Sequence, residues 1–378
     1  MKEFGPGEGV PPQEGKTHER WSKQKSDIFP LLRLVLIFLL PLIFLLTTVP
    51  SGYLLEQPGP SFDLQGGLTV EGAETYPNSG EFMLTAVSLQ ESRLIYHFLS
   101  FFDDDYGLLK VRDYLGEELD EKKQRGVDDV WTILSQDTAV VVGLQEAGKP
   151  VGVENLGALV VSTAKDYPAY DVLKPGDVIV AVNGEPAENA AKVGEAISST
   201  QPGEMISMRV RGINEEALKA EDKLDTQERP DTSEILGENG RTVEVHTVWD
   251  PDLNKTVIGI AMRDYFDYDS GVQVEWNMEG VKGPSAGLIM TLSLVNALTP
   301  ADLTGGKKVA GTGEIFLDHR VGPVGGLPMK IRAAEGEGAE VFIYPRDNQE
   351  DLAGVSTSMK LYPVGSLQEA LQVLGEIR

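Results

Sequence analysis

The sequence contains no cysteine and four histidines, His18, His97, His246 and His319, scattered without an HExxH-type pair. That excludes a thiol nucleophile, thiolate metal sites and disulfides, and the sequence predicts neither a metal nor a cofactor. A metal hydrolase is disfavoured, and a Ser-His triad has few candidates. Ser285, in Gly283-Pro284-Ser285-Ala286-Gly287, follows a run in which Val272, Val274, Trp276 and Met278 alternate at the period of a strand. It precedes the almost wholly apolar residues 288–298, which read as a buried helix. Peptide N–H groups at a helix start are unpaired and the dipole is positive there, so an oxyanion formed at Ser285 could be held. Pro284 has no N–H, which leaves the donor role to Ser285 and others of the loop. Taken alone, the pentapeptide is better explained by a serine capping a core helix.

A base is needed as well. Residues 321–334 read as a glycine turn entering a helix, with Pro328 in the first turn and Lys330 just after it. A lysine near the positive end of a helix and against apolar packing is disfavoured as an ammonium. A free lysine has a pKa of about 10.4, so a base working near neutrality needs a fall of roughly 3 units, about 4 kcal/mol. A solvated surface lysine is the competing reading until the motifs are combined. Residues 143–150, GLQEAGKP, stop short of a phosphate-binding loop, because Pro150 stands where the Mg²⁺-binding hydroxyl belongs.

In this order and spacing GPSAG, Thr312-Gly313-Glu314 and the PxGGLxxK run ending at Lys330 resemble the proteolytic domain of Lon proteases over roughly residues 243–378. Ser285 and Lys330 lie 45 positions apart, close to that family's arrangement. The resemblance implies a Ser285–Lys330 dyad in a compact α/β domain. It also implies that Thr312 hydrogen-bonds the lysine, with Gly283, Pro284 and Gly287 in support, and that assembly into a homo-oligomer is plausible. Asp318-His319-Arg320 replaces the family's glycine-containing turn, and His319 reads as a turn residue. Lys282 replaces a residue that is acidic in many Lon enzymes, and its side chain is expected in solvent.

The elements that must carry this chemistry lie upstream too. Residues 173–184, LKPGDVIVAVNG, read as a turn, a buried strand and an Asn-Gly turn. A short helix near 190–198 and a strand near 206–210 follow. This unit, 137–212, resembles a PDZ domain, and the resemblance implies binding of peptide C-termini or extended segments. The expected groove lies between Gly157, Ala158, Leu159 and Val160 on a strand and Val193 and Ile197 on a helix. A small β-domain without a peptide site is the other reading. Residues 213–241 read as an acidic linker or insertion, since nine acidic residues face three basic ones across 213–240.

Residues 31–50 read as a transmembrane helix, with residues 31–49 a nearly continuous apolar run long enough for a bilayer core. Lys16, Arg20, Lys23, Lys25 and Arg33 precede or open it, and no Lys or Arg follows until Arg93. The positive-inside bias puts residues 1–30 in the cytoplasm as a tail and the remainder outside, on a single-pass cell-membrane protein. Residues 51–136 are a juxtamembrane region of no assigned role. A net charge of −26 argues against nucleic-acid partners. The fold expected is multidomain α/β: a transmembrane helix, a β-rich PDZ-like domain and a C-terminal Lon-type α+β domain at 242–378. With residues 57–64, QPGPSFDL, the whole chain resembles bacterial PDZ-containing Lon-like peptidases. That resemblance implies an ATP-independent serine endopeptidase acting on unfolded or membrane-associated proteins. A non-catalytic PDZ scaffold with a vestigial Lon-like domain is the alternative.

Overall fold

The computed structural model describes residues 33, 35–111, 121–214, 232–278 and 281–378. The expected cytoplasmic tail and residues 215–231 of the acidic segment lie outside them. The strands are β1 (Pro50–Asp63), β2 (Leu68–Glu71), β3 (Glu81–Arg93), β4 (Gly107–Lys110), β5 (Gly152–Thr163), β6 (Asp177–Val182), β7 (Glu185–Pro186), β8 (Met205–Ile213) and β9 (Leu236–His246), then β10 (Val248–Asp250), β11 (Lys255–Val257), β12 (Ile260–Asp269), β13 (Gln273–Trp276), β14 (Lys308–Gly311), β15 (Glu314–Ile315), β16 (Val321–Gly322), β17 (Val341–Pro345) and β18 (Lys360–Val364). The helices that matter are α1 (Leu94–Leu99), α2 (Glu121–Glu146), α3 (Ala190–Ser198), α4 (Gly287–Leu298), α5 (Leu327–Gly336) and α6 (Leu367–Ile377). The chain divides into two compact units, residues 1–55 with 90–110, and residues 56–89 with 111–378.

In the first unit residues 35–48 are helical and carry exposed large apolar side chains from Val35 to Leu45. The hydroxyls of Thr47 and Thr48 donate to the carbonyls of Ile43 and Phe44, at 2.9 and 2.7 Å, and so help close the last turn. Among the described residues no helix is long and apolar enough to cross a membrane. The expected span includes residues 31, 32 and 34, which lie outside the described residues.

Beside three two-stranded sheets, the second unit contains two large ones. In the first, β14 runs parallel to β3 and to β17, and β17 parallel to β18. A parallel sheet must be covered on both faces, and the strands alternate accordingly. Phe82, Leu84, Val309 and Ile343 pack with Leu288, Ile289 and Leu292 of α4. Met83, Ala310, Phe342 and Tyr344 pack with Leu327, Ile331 and Ala334 of α5. Every residue of α4 is buried, as its continuous apolar composition demands, and each buried Leu or Ile contributes roughly 1.5–3 kcal/mol. α6 begins at Ser366, whose hydroxyl accepts from the Glu369 N–H at 3.3 Å, while the Glu369 carboxylate accepts from the Gly365 N–H at 2.8 Å.

The second sheet has the order β12-β5-β6-β8-β9 around Val160, Ile179, Ile206 and Val210. Asn183 and Gly184 take φ values of 50° and 86°, the left-handed pair that the Asn-Gly turn requires. Asp177 of the PGD turn is buried and accepts from both Arg241 guanidinium nitrogens at 2.8 Å. Sequence-based boundaries fall inside elements here. Residue 137 lies within α2, β9 occupies part of the expected acidic linker, and β12, from the expected 242–378 domain, pairs along its whole length with β5.

β1 and β3 approach closely at Gly59, where an added Cβ would lie 2.7 Å from the Ala86 carbonyl oxygen. Gly59→Ala should therefore lower stability by about 1–3 kcal/mol, measurable by urea unfolding. An unchanged midpoint would show that the strands can separate freely.

Candidate active site

α4 and α5 cover opposite faces of the parallel sheet, yet they converge at the C-terminal end of β14. The residue after that strand is Thr312, fully buried. Its hydroxyl donates to the Ser285 carbonyl at 3.0 Å and accepts from the Lys330 amine at 3.1 Å. The neighbouring Gly313 N–H also donates to the Ser285 carbonyl, at 2.8 Å. The predicted trio Ser285, Thr312 and Lys330 is thus brought together by one hydroxyl. The structure records no hydrogen bond between the Ser285 hydroxyl and the Lys330 amine.

The local sequence explains the serine's placement. Gly283 has φ 96°, a left-handed conformation open to glycine, and Pro284 starts a single 3₁₀ turn, Pro284–Ala286, that leads into α4. Gly287 must lack a side chain for space: a Cβ there would lie 2.9 Å from Ile315 Cγ2 and 3.0 Å from the Ile315 nitrogen.

α2 braces the loop from the other side. Thr132 accepts from the Gly283 N–H at 2.8 Å, Ser135 donates to the Pro284 carbonyl at 3.1 Å, and Asp129 pairs with Lys282 at 2.6 Å. Lys282 is half exposed and pinned to α2, rather than free in solvent. Sequence reasoning missed this brace, because hydroxyls on a helix about 150 residues from the loop carry no local mark. His319 takes the left-handed turn position, φ 67°, in the β15–β16 hairpin and also meets Gln145 of α2 at 3.2 Å.

Lys330 is 3% exposed. Burial pushes its amine down from 10.5 to about 8, against an opposing pull from the Glu56 carboxylate. Burial raises Glu56 in turn, and Lys330 offsets part of the rise. Two residues past Thr312, the buried Glu314 carboxylate pairs with Arg263 of β12 and accepts from the Trp131 indole at 3.4 Å. Among the described residues no cluster of His, Asp or Glu could hold a metal ion.

The family model described as the Lon protease (S16) C-terminal proteolytic domain matches residues 259–375, and that described as the PDZ domain matches residues 132–221. The C-terminal part of this chain is a Lon-type proteolytic domain. A Lon protease of Brevibacillus choshinensis is 42% identical over 94 residues, covering 24% of this chain and 12% of that protein. A Lon protease of Azospirillum brasilense is 36% identical over 121 residues, covering 31% and 15%. The chain spans less than a sixth of the length of either relative. The PDZ domain of an SdrC-like protein from Listeria monocytogenes has 19% identity and a TM-score of 0.21, covering 28% of this chain and 87% of that one.

The expected peptide groove requires correction. Gly157, Ala158, Leu159 and Val160 lie on β5, which is flanked by β12 on one side and β6 on the other. Ala158, Leu159, Val160, Val193 and Ile197 are buried core residues. No strand can add beside them. The sheet's edge near α3 is β12, whose Asp264 accepts from the first N–H of α3 at 2.9 Å.

The depressed lysine fixes a linkage. The unfolded chain holds this proton up to pH 10.5 and the folded Lon-type domain only to about 8. Stability therefore rises with pH between those values and is reduced below them. Relative to Lys330→Met, the wild type should gain up to about 3 kcal/mol across that window, measured by denaturant unfolding at each pH. A gap independent of pH would show that the amine is not desolvated.

Proposed function

We propose that this chain is a serine endopeptidase in which Ser285 is the nucleophile and Lys330 the general base. The observation that carries this reading is a buried amine, lowered to about 8, hydrogen-bonded to the hydroxyl that holds the Ser285 carbonyl. The neutral amine takes the Ser285 Oγ proton as Oγ attacks a peptide carbonyl, and a rotamer change of either side chain joins them for that transfer. The oxyanion is received by backbone N–H groups of the 3₁₀ turn. The ammonium then gives its proton to the leaving amine, an acyl ester remains on Ser285, and water activated by the same amine releases the second product. Lys330 ends neutral and Ser285 regains its proton. No chemical step consumes a nucleotide, which supports an ATP-independent reading for a substrate that is already unfolded.

The PDZ-like domain offers protein tails or extended segments a strand-addition edge at β12 rather than at β5. The exposed apolar helix at 35–48 supports a membrane anchor, with the catalytic domain on the extracytoplasmic side.

The full chain in detergent micelles or vesicles should cleave an unfolded protein without added nucleotide. Ser285→Ala and Lys330→Ala should each reduce cleavage by a factor of about 10³ or more. Because the neutral amine is the active form, kcat/KM should climb tenfold per pH unit below the lysine's pKa and level off above about 8. Cleavage retained in both variants would overturn the assignment. Peptide binding without turnover in the wild type would instead favour a scaffold.

A further inference from the structure

The motif of residues 57–64 finds no use in the reaction as written, but the residue before it does. Glu56 lies on β1. A Cβ placed on Gly326 would lie 2.6 Å from Glu56 Oε1 and 2.6 Å from Val87 Cγ1, so the carboxylate rests on the backbone that opens α5. Gly326 has φ 69°, and its carbonyl accepts the Lys330 N–H at 3.1 Å. Lys330 is thus one helical turn from the point where Glu56 touches α5.

On β3, Met83 packs against Leu327 and Ile331 of α5, and Val87 reaches Gly326. Thr85 lies between them on the same strand face, since side chains alternate. Its hydroxyl is buried and makes no hydrogen bond. The polar groups that β1, β3 and β14 bring towards the lysine are therefore the Glu56 carboxylate, the Thr85 hydroxyl and the Thr312 hydroxyl. Glu56 is the charged one, and its field acts on Lys330 as that of Lys330 acts on Glu56.

We infer that Glu56 is a positioning residue for Lys330, orienting the side chain towards Thr312 and Ser285 and stabilising the ammonium formed when the amine takes the serine proton. The inference rests on the Ser285–Lys330 assignment. The proton passes from Ser285 Oγ to Lys330 Nζ, and Glu56 neither gains nor loses one. Its part corresponds to that of the carboxylate behind the base in serine triads, which holds the base and favours its cationic form without becoming protonated. Glu56 is partly buried, so its charge is screened less than at an open surface. It also explains why a lysine this deeply buried is lowered only to about 8: burial drives it down and the carboxylate limits the fall.

Glu56→Gln and Glu56→Asp in the full chain test the role. Removing the anion should lower kcat about tenfold or more with KM within about twofold, since charge stabilisation is lost only where the cation forms. The same change should move the pH midpoint of kcat/KM below that of the wild type. Glu56→Asp keeps the charge and should keep the midpoint. A wild-type kcat and midpoint in Glu56→Gln, or equal losses in Gln and Asp with no movement of the midpoint, would overturn the role. If Glu56→Gln fails to fold, Ser285→Ala protein with ¹³C at lysine Cε supplies a second measurement, with the Lys330 signal assigned by Lys330→Arg. That signal should shift in two steps, one at its own pKa and one as a carboxyl titrates. A single step would refute the coupling. Cleavage by Lys330→Ala would instead remove the dyad itself, whatever Glu56 does.

Discussion

One hydroxyl holds the site together. Thr312 accepts from the amine of α5 and donates to the carbonyl that opens the α4 loop, so a single buried oxygen joins elements from opposite faces of a sheet. This works only at the C-terminal end of β14, where the sheet no longer separates the faces. Carboxyl ends of parallel strands are where open α/β sheets assemble ligand sites, for the same reason. A valine would fill the same volume but leave the buried amine without its partner, costing roughly 1–3 kcal/mol, while the carbonyl would keep only the Gly313 N–H.

The dryness that makes this hydroxyl effective also makes Lys330 costly. Desolvation opposes its charge: Lys330 is buried, on the helix whose Leu327, Ile331 and Ala334 pack against the sheet. The apolar packing of α4 and the parallel strands offsets that penalty elsewhere in the domain, as is common where a site stores unfavourable chemistry. The helix α4 is apolar on all sides because it must bury Leu288 and Leu292 against the sheet while α2 packs on it from the other side. The same burial that fixes the serine's helix therefore fixes the loop before it, through Thr132 and Ser135.

The residues of the candidate site are marked locally in the sequence. Ser285 sits between a period-two strand and an apolar helix, and Lys330 follows a glycine turn and a proline. Asn183-Gly184 is likewise a short-range signal that the fold uses as read. What could not be read is everything held by long-range pairing. The place of β3 beside β14 is one such case, since no residue of either names its neighbour. The same holds for Glu56, whose burial follows from the approach of β1 to α5. The groove was misplaced on β5 because the strand covering it, β12, arrives from about a hundred residues later in the chain.

That late-arriving strand also decides what counts as a domain here. β12 completes the PDZ-like sheet through its pairing with β5, yet it falls within the stretch matching the Lon-type domain. Its Arg263 pairs with Glu314, whose side chain is 6% exposed, and the guanidinium lies 4.9 Å from the Phe316 ring. A carboxylate buried to that extent is tolerated because its partner is present; removal of one member of such a pair typically costs 3–5 kcal/mol. A cut near residue 242 would leave β12 with the catalytic part and strip the PDZ-like sheet of its edge. A cut after β12 would strand Glu314 without a counter-charge, two residues from the hydroxyl that Lys330 meets. Neither cut yields two closed cores, so among the described residues of 121–378 the PDZ-like fold and the Lon-type fold are stabilised as one.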